Sequence, residues 1–178
     1  MNTKVQRSNA AYQKMVEALL AEYASEDDAV LNMSAIDGGW SVIQIMHHLI
    51  LTEELSLRYV RKKLSFQPDL KPAGWEARLK SALLKFYLNV PFKFKAPDVV
   101  GEDNLPGFTS FTDTRNRWLN IRKEWTGFLD QLPPELLDKA VYRHPLAGRL
   151  SWTGTLAFFR YHFQRHKKQI ERTLGQRK

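Results

Sequence analysis

Two histidines near the end of the chain have a spacing that suits metal binding. His162 and His166 are four positions apart in a segment with helical periodicity, so both side chains lie on one helix face. At that spacing their Cβ atoms are about 5–6 Å apart, and both rings can reach one ion at about 2.0–2.1 Å. Because Phe159, Phe163 and Ile170 share this face, we expect the pair to lie against an apolar interior. The alternative is a packed or solvated pair without an ion.

A histidine on an earlier predicted helix offers a third ligand. His48 lies on the otherwise apolar stripe of that helix, and a buried histidine without a partner costs free energy. A metal ion shared with the later pair would satisfy all three rings. The alternatives for His48 are a backbone carbonyl or the carboxylate of Glu53 or Glu54. His47 projects about 100° away around the helix and is the alternative ligand.

The fifth histidine stands in a different context. His144 directly precedes Pro145 within residues 135–149, which we interpret as a loop or a short turn between two helices. We predict that His144 is a surface or loop-anchoring residue. It would then take no part in binding a metal ion.

Four segments with helical periodicity must position these histidines. They cover approximately residues 9–23, 41–64, 112–132 and 151–174. The proline-rich connection 66–110 is long enough to cross a bundle, and within it residues 75–88 predict an extra amphipathic helix. No segment shows the sustained alternation of a strand. We therefore expect one all-α domain over residues 1–178, an antiparallel four-helix bundle with an extra helix between bundle helices 2 and 3.

The composition limits the available chemistry. The chain contains no cysteine, which excludes disulfides, zinc–thiolate sites and cysteine nucleophiles. A metal site must then use His, Asp or Glu. Since no Ser-His-Asp pattern offers a protein nucleophile, we expect the nucleophile to be bound to the metal. Hydrophobic residues make up 43% of the chain, a share that indicates a globular protein.

Charge and hydropathy bear on location and partners. The N-terminus lacks the apolar run of a signal peptide, and the most apolar stretch, residues 42–51, is too short to span a bilayer, so we expect a cytoplasmic protein without a membrane partner. The net charge is +8, with basic residues concentrated in 160–178. That segment could bind nucleic acid. We favour a solvated helix face and cationic tail, since no aromatic residue follows Phe163, and expect only weak, unspecific DNA binding.

Several motifs together resemble the DinB/YfiT-like superfamily over nearly the whole chain. In that family a Trp-Ser pair starts a helix that carries a ligand histidine followed by leucine, and a His-Pro segment with a glycine precedes a last helix with His-x-x-x-His. The matching residues in this chain are Trp40-Ser41, His48-Leu49, His144-Pro145, Gly148, His162, His166 and Gln169-Ile170. The proline-rich insert is the least matched part.

The resemblance implies a four-helix bundle with a three-histidine site facing a pocket at one end. Carried over by position, the metal ligands are His48, His162 and His166, and the ion is zinc, nickel or iron. Members of the family resemble thiol-dependent transferases or isomerases, or are called metal-dependent hydrolases. The family also suggests a homodimer, for which the aromatic residues of the insert could form a contact (Trp75, Phe86 and Tyr87). Alternatively, the insert helix packs on its own bundle.

Three neutral ligands leave at least one coordination position open, as in catalytic metal sites. We therefore expect a metal-dependent enzyme that acts on a small molecule, such as a low-molecular-weight thiol, by thiol transfer or hydrolysis. A helical bundle that binds a metal or ligand without catalysis is the alternative. We assign no general base, because Glu53 and Glu54 are either hydrogen-bond partners of a metal-binding histidine or solvated side chains.

Overall fold

Residues 3–74, 98–144 and 147–175 of the computed structural model are described, and they contain five α-helices. The helices are α1 (Lys4–Glu22), α2 (Asp28–Asn32), α3 (Val42–Ser65), α4 (Phe111–Asp130) and α5 (Trp152–Gly175). Short 3-10 turns lie at Asp98–Val100, Glu102–Asn104 and Pro134–Leu136. The four predicted bundle helices are confirmed as α1, α3, α4 and α5. The predicted extra helix at residues 75–88, and with it the aromatic residues of the suggested dimer contact, lies outside the described residues.

The start of α3 is fixed by a capping box. Ser41 is the N-cap; its hydroxyl accepts a hydrogen bond from the Gln44 backbone N–H at 3.2 Å, and the Gln44 side chain accepts one from the Ser41 backbone N–H at 3.0 Å. These two bonds satisfy backbone groups that a helix end leaves unpaired. The cap sets where α3 begins and thereby sets the register of the histidines that follow.

The four long helices pack in a ring whose order differs from their order in the chain. Helix α1 packs against α4 and α5, and α3 packs against the same two helices from the other side. Apolar and aromatic side chains from all four helices fill the space between them, as their helical periodicity requires. Two of the predicted ligands lie on α5 and one on α3, which are direct neighbours in this ring.

Helices α3 and α4 run in the same direction. His47, near the start of α3, contacts Thr114 near the start of α4, while Arg61 near the end of α3 contacts Glu124 further along α4. These contacts show that α3 and α4 run parallel, so the four-helix bundle is confirmed but the expected antiparallel direction is wrong for this pair. Parallel neighbours need a long connection between them. A short loop would instead have returned the chain antiparallel to α3.

A small β-hairpin joins the bundle between α4 and α5. Its strands are β1 (Tyr142–His144) and β2 (Gly148–Leu150), paired antiparallel. It packs against α3 and α5. The expectation of only a loop or short turn in residues 135–149 is therefore wrong. Three-residue strands are too short to show alternation in the sequence, although Gly148, with a φ of 71°, suits a turn.

The interior also contains a buried ion pair. Glu53 of α3 and Arg122 of α4 lie 2.8 Å apart with side chains 1% and 0% exposed. Glu53 also accepts hydrogen bonds from the Tyr12 hydroxyl at 2.8 Å and from the Trp118 indole at 2.9 Å. Arg122 donates to Asn9 and to Gln13 of α1. The Glu53 side chain is therefore a buried link between three helices and is not solvated.

Candidate metal centre

Helices α3 and α5 bring the three predicted ligands together. The Nε2 atom of His162 lies 3.1 Å from Nε2 of His48 and 3.0 Å from Nε2 of His166. One ring nitrogen from each of the three histidines lies within 4.8 Å of the other two. His48 and His166 are buried and His162 is half-buried. The cluster therefore has the separation and the donor type that a single ion would need.

His48 is oriented by two contacts from outside its own helix. Its Nδ1 atom is 2.8 Å from the carbonyl oxygen of Val100. A carbonyl can only accept, so Nδ1 carries the proton and Nε2 of the neutral ring presents a lone pair to the cluster. The ring of Trp40 lies 5.1 Å from the His48 ring. The backbone-carbonyl alternative for His48 is thus present, but it uses only one of the two ring nitrogens.

His166 is oriented from within its own helix. Its Nδ1 atom is 2.8 Å from the side-chain oxygen of Gln169, three residues further along α5. An amide oxygen accepts a hydrogen bond, so the proton again resides on Nδ1 and the Nε2 lone pair points towards His162. A hydrogen bond at the ring nitrogen opposite the metal is usual for metal-binding histidines.

The arrangement leaves His162 facing two lone pairs. Its Nε2 atom is near the Nε2 atoms of both other rings, and a single proton on it can satisfy only one of these two contacts. A cation at the centre would satisfy all three nitrogens at once. The residues present therefore fit a divalent ion.

The electrostatic environment keeps these rings neutral. Burial first, and then the neighbouring His48, lower the pKa of His166 to about 3. Burial also lowers the pKa of His162 well below its usual value, followed by the neighbouring His166 and His48. The pKa of His48 is lowered by burial too, partly offset by its bond to Val100. Neutral imidazoles are the form that binds metals.

His47, the alternative ligand, points away from the cluster towards α4. The guanidinium of Arg117 donates to its Nδ1 atom at 3.1 Å, and its Nε2 atom lies 3.1 Å from the hydroxyl of Thr114. Arg117 in turn forms a two-pronged ion pair with Glu54, with a shortest distance of 2.7 Å. Burial and then Arg117 lower the pKa of His47 to about 4. Both of its ring nitrogens are engaged on that side of α3.

His144 lies in strand β1, and its position decides between the two predicted roles, surface or loop-anchoring. The residue is buried, so it is not a surface histidine. Its Nδ1 atom accepts a hydrogen bond from the backbone N–H of Ala147 at 3.1 Å, so the loop-anchoring role is confirmed. Burial lowers its pKa to about 4. The three-histidine group found among the described residues does not include it.

A cavity of about 510 Å³ opens next to His47 on the α4 side of α3. None of the three clustered histidines lines it. The residues that line it are His47, Asp103, Asn104, Leu105, Pro106, Thr109, Asp113 and Arg117. Adjacent residues of α3 therefore face two separate features of the molecule.

Sequence reasoning misses most of the groups that orient the ligands. The Val100 carbonyl is a backbone atom in an irregular connection and leaves no signal in the sequence. Phe158, whose ring stacks on His162, is in the sequence only another apolar residue of α5. Trp40 and Gln169 belong to the motifs, but the motifs do not reveal their contacts with His48 and His166.

These features define the class of protein: a four-helix bundle in which two neighbouring helices bring three histidines together. Residues 6–170 match the model of the DinB superfamily, and the chain belongs to that superfamily, as its motifs indicated. No helix in the described ranges has the length and apolarity that crossing a bilayer requires.

A solved structure supports the same fold. The chain is similar to YfiT from Bacillus subtilis, described as a probable metal-dependent hydrolase with an unusual four-helix bundle topology. The two share 18% sequence identity with a TM-score of 0.56, over 96% of this chain and 87% of YfiT. At this identity the similarity supports the four-helix bundle fold alone. No curated protein matches the chain significantly.

Proposed function

We propose that this protein is a metal-dependent enzyme that holds one divalent ion through Nε2 of His48, His162 and His166 and acts on a small molecule. The observation that carries the proposal is the convergence of three Nε2 atoms, two of them with lone pairs directed inward by bonds at Nδ1. Zinc, nickel and iron all accept imidazole ligands.

The distances support an ion of ordinary size. A tetrahedral ion with bonds of about 2.0–2.1 Å would hold its nitrogens about 3.3–3.4 Å apart. The two separations from His162, 3.0 and 3.1 Å, are slightly shorter, so His162 would need to move only slightly away from both partners. Three protein ligands leave a position open for substrate, as in catalytic sites. When bound, such an ion polarises a carbonyl and lowers the pKa of a water or thiol that joins it.

Thiol transfer and hydrolysis are the two reaction types that we propose. Both use chemistry that the ion supplies, and the chain has no cysteine to act as a nucleophile. Glu53 is bonded to Arg122 inside the bundle, and Glu54 is paired with Arg117 on the α4 side of α3. We therefore propose neither carboxylate as the general base. A low-molecular-weight thiol is the first substrate class to test.

The test is metal analysis of the purified protein beside activity assays. We expect about one divalent ion per chain. We also expect either the transfer of a cellular thiol to an electrophile or the hydrolysis of an ester or amide substrate from a test panel. Activity should disappear after chelation and return with metal. Stoichiometric metal without turnover of any of these substrates would instead support the non-catalytic metal-binding bundle. A protein that takes up no zinc, nickel or iron would contradict both.

A further inference from the structure

The three histidines of the cluster are held in two different ways. His48 and His166 each have a hydrogen bond at Nδ1, to Val100 and Gln169 respectively. Within the described ranges of the chain, the hydrogen bonds of His162 involve Nε2 only. Its ring instead stacks on the ring of Phe158, with centroids 5.2 Å apart and planes only 17° from parallel. The His162 ring is therefore oriented by an aromatic contact, whereas each of the other two rings is oriented by a hydrogen bond at Nδ1.

Phe158 is itself held by the β-hairpin. The ring of His144 lies 4.5 Å from the Phe158 ring at an interplanar angle of 73°, and the ring of Tyr142 lies 6.4 Å away at 18°. Both partners are anchored in turn. The Tyr142 hydroxyl accepts a hydrogen bond from Ser56 of α3 at 3.1 Å, and His144 accepts one from the Ala147 backbone at 3.1 Å. A continuous set of contacts therefore runs from the hairpin to His162.

We infer that Phe158, clamped by the hairpin, is the positioning residue of His162. This inference rests on the proposed function. The torsion that rotates a histidine ring about its Cβ–Cγ bond has a broad preference, so an isolated ring does not choose one plane by itself. The parallel stack on Phe158 fixes that plane and directs Nε2 towards His48 and His166. Without the stack, we expect His162 to rotate and the ion to keep only two well-aligned ligands.

Two adjacent phenylalanines of α5 provide a matched experiment. Phe158 and Phe159 are both buried, and their rings contact each other with centroids 5.5 Å apart. Unlike Phe158, Phe159 has its other ring contacts with Tyr12 and Trp125 of the bundle core, and among the described residues its ring contacts include none of the clustered histidines. Replacing either with Leu removes a ring and keeps a comparable apolar volume. Zinc affinity should be measured by chelator competition, the absorption spectrum of the cobalt-loaded protein recorded, and folding checked by circular dichroism.

The inference predicts separate outcomes for the two variants. Phe158→Leu should weaken zinc binding about 10–100-fold, the usual effect of losing a residue that orients a metal ligand, and should alter the cobalt spectrum. Phe159→Leu should lower the melting temperature yet leave both metal readouts as in wild type. Phe158→Tyr, which keeps the ring, should restore affinity and spectrum.

Other results would overturn the inference. Wild-type affinity and spectrum in a folded Phe158→Leu protein would contradict it, as would equal weakening by both substitutions, since that indicates general loosening of the core. If Phe158→Leu does not fold, His144→Leu tests the same contact from the hairpin side. We then expect a smaller loss of zinc affinity than for Phe158→Leu. An unchanged zinc affinity in His144→Leu would contradict the inference. If the wild type takes up no metal, the proposed function itself fails first.

Discussion

The bundle contains two clusters of polar side chains in its interior, and their polar atoms are paired in different ways. In the ion-pair cluster, the carboxylate of Glu53 meets donors from Tyr12, Trp118 and Arg122. Every strong donor faces an acceptor supplied by the protein. In the histidine cluster, three ring nitrogens face one another, and at least two of them are acceptors. The first cluster is complete without a ligand, whereas the second would be completed by the cation that we propose.

The balance of donors and acceptors distinguishes a structural polar core from a candidate site. Burying polar groups costs free energy unless they are paired. A cluster in which donors and acceptors balance can be explained by folding alone. An excess of acceptors at one point is not explained in this way, because it leaves at least one buried acceptor without a donor. The two clusters should therefore respond differently to the same kinds of perturbation.

The largest expected effect comes from breaking the ion pair. In Glu53→Gln the shape is kept but Arg122 becomes an unpaired buried charge, which should reduce the free energy of unfolding by about 3–5 kcal/mol. In a domain of this size that corresponds to a melting temperature about 10 °C lower. Urea and thermal unfolding measure it. The control is Arg61→Ala, whose pair with Glu124 is half exposed, for which we expect less than about 1 kcal/mol.

A stability loss below about 1 kcal/mol in Glu53→Gln would contradict the account of this cluster as a closed structural unit. Metal content supplies the second readout. Because the pair lies between α1, α3 and α4 and touches none of the three histidines, the folded variant should bind as much metal as wild type. Loss of metal from a folded Glu53→Gln protein would mean that the two clusters are not independent.

A smaller effect is expected from adding metal. An ion that binds only the folded protein stabilises it by about 2.7 kcal/mol when its free concentration is a hundred times the dissociation constant. Thermal unfolding with buffered zinc, and again with excess chelator, measures this difference. The same increment should appear in Glu53→Gln. A melting temperature that does not respond to any of zinc, nickel or iron would mean that the histidine cluster needs no cation.

The smallest effect concerns the pH dependence of the metal-free protein. The folded pKa of His166 is about 3, because of burial, against about 6.5 in an unfolded chain. The unfolded state therefore binds more protons as the pH falls below 6.5, and stability should decrease from there towards pH 3. One such histidine contributes at most about 1.4 kcal/mol per pH unit. Urea unfolding at pH 7 and pH 5 should show a smaller decrease for His166→Leu, and an equal decrease would contradict burial of His166 as a cause of the pH dependence.

The fold was predictable in the long helices, where the spacing of apolar residues repeats over several turns. Four helices of about twenty residues show their apolar stripes, and Ser41 marks the start of one of them. The length of the connection 66–110 allowed a crossover, but the parallel direction of α3 and α4 is fixed by contacts between distant residues, which periodicity does not encode. The hairpin escapes prediction because its strands have three residues each.

The clustering of three histidines was predictable from the sequence, but the groups that orient them were not. Two histidines one turn apart, and a third on an apolar stripe, need only helix geometry to be found. Glu53 is close to His48 in sequence, yet its side chain faces Arg122. This was not predictable, because the sequence does not say which helix packs against which side of α3. The carbonyl of Val100 depends on the path of an irregular loop. Such partners are fixed by tertiary structure alone.

Elemental analysis of two variants tests whether the three histidines hold the ion. The double variant His162→Ala, His166→Ala removes two of the three converging nitrogens, and His47→Ala removes a buried histidine of α3 that points towards α4. After loading with zinc and removal of free metal, we expect none in the double variant and wild-type stoichiometry in His47→Ala. Full metal content in the folded double variant would show that the ion binds elsewhere and would contradict the three-histidine centre.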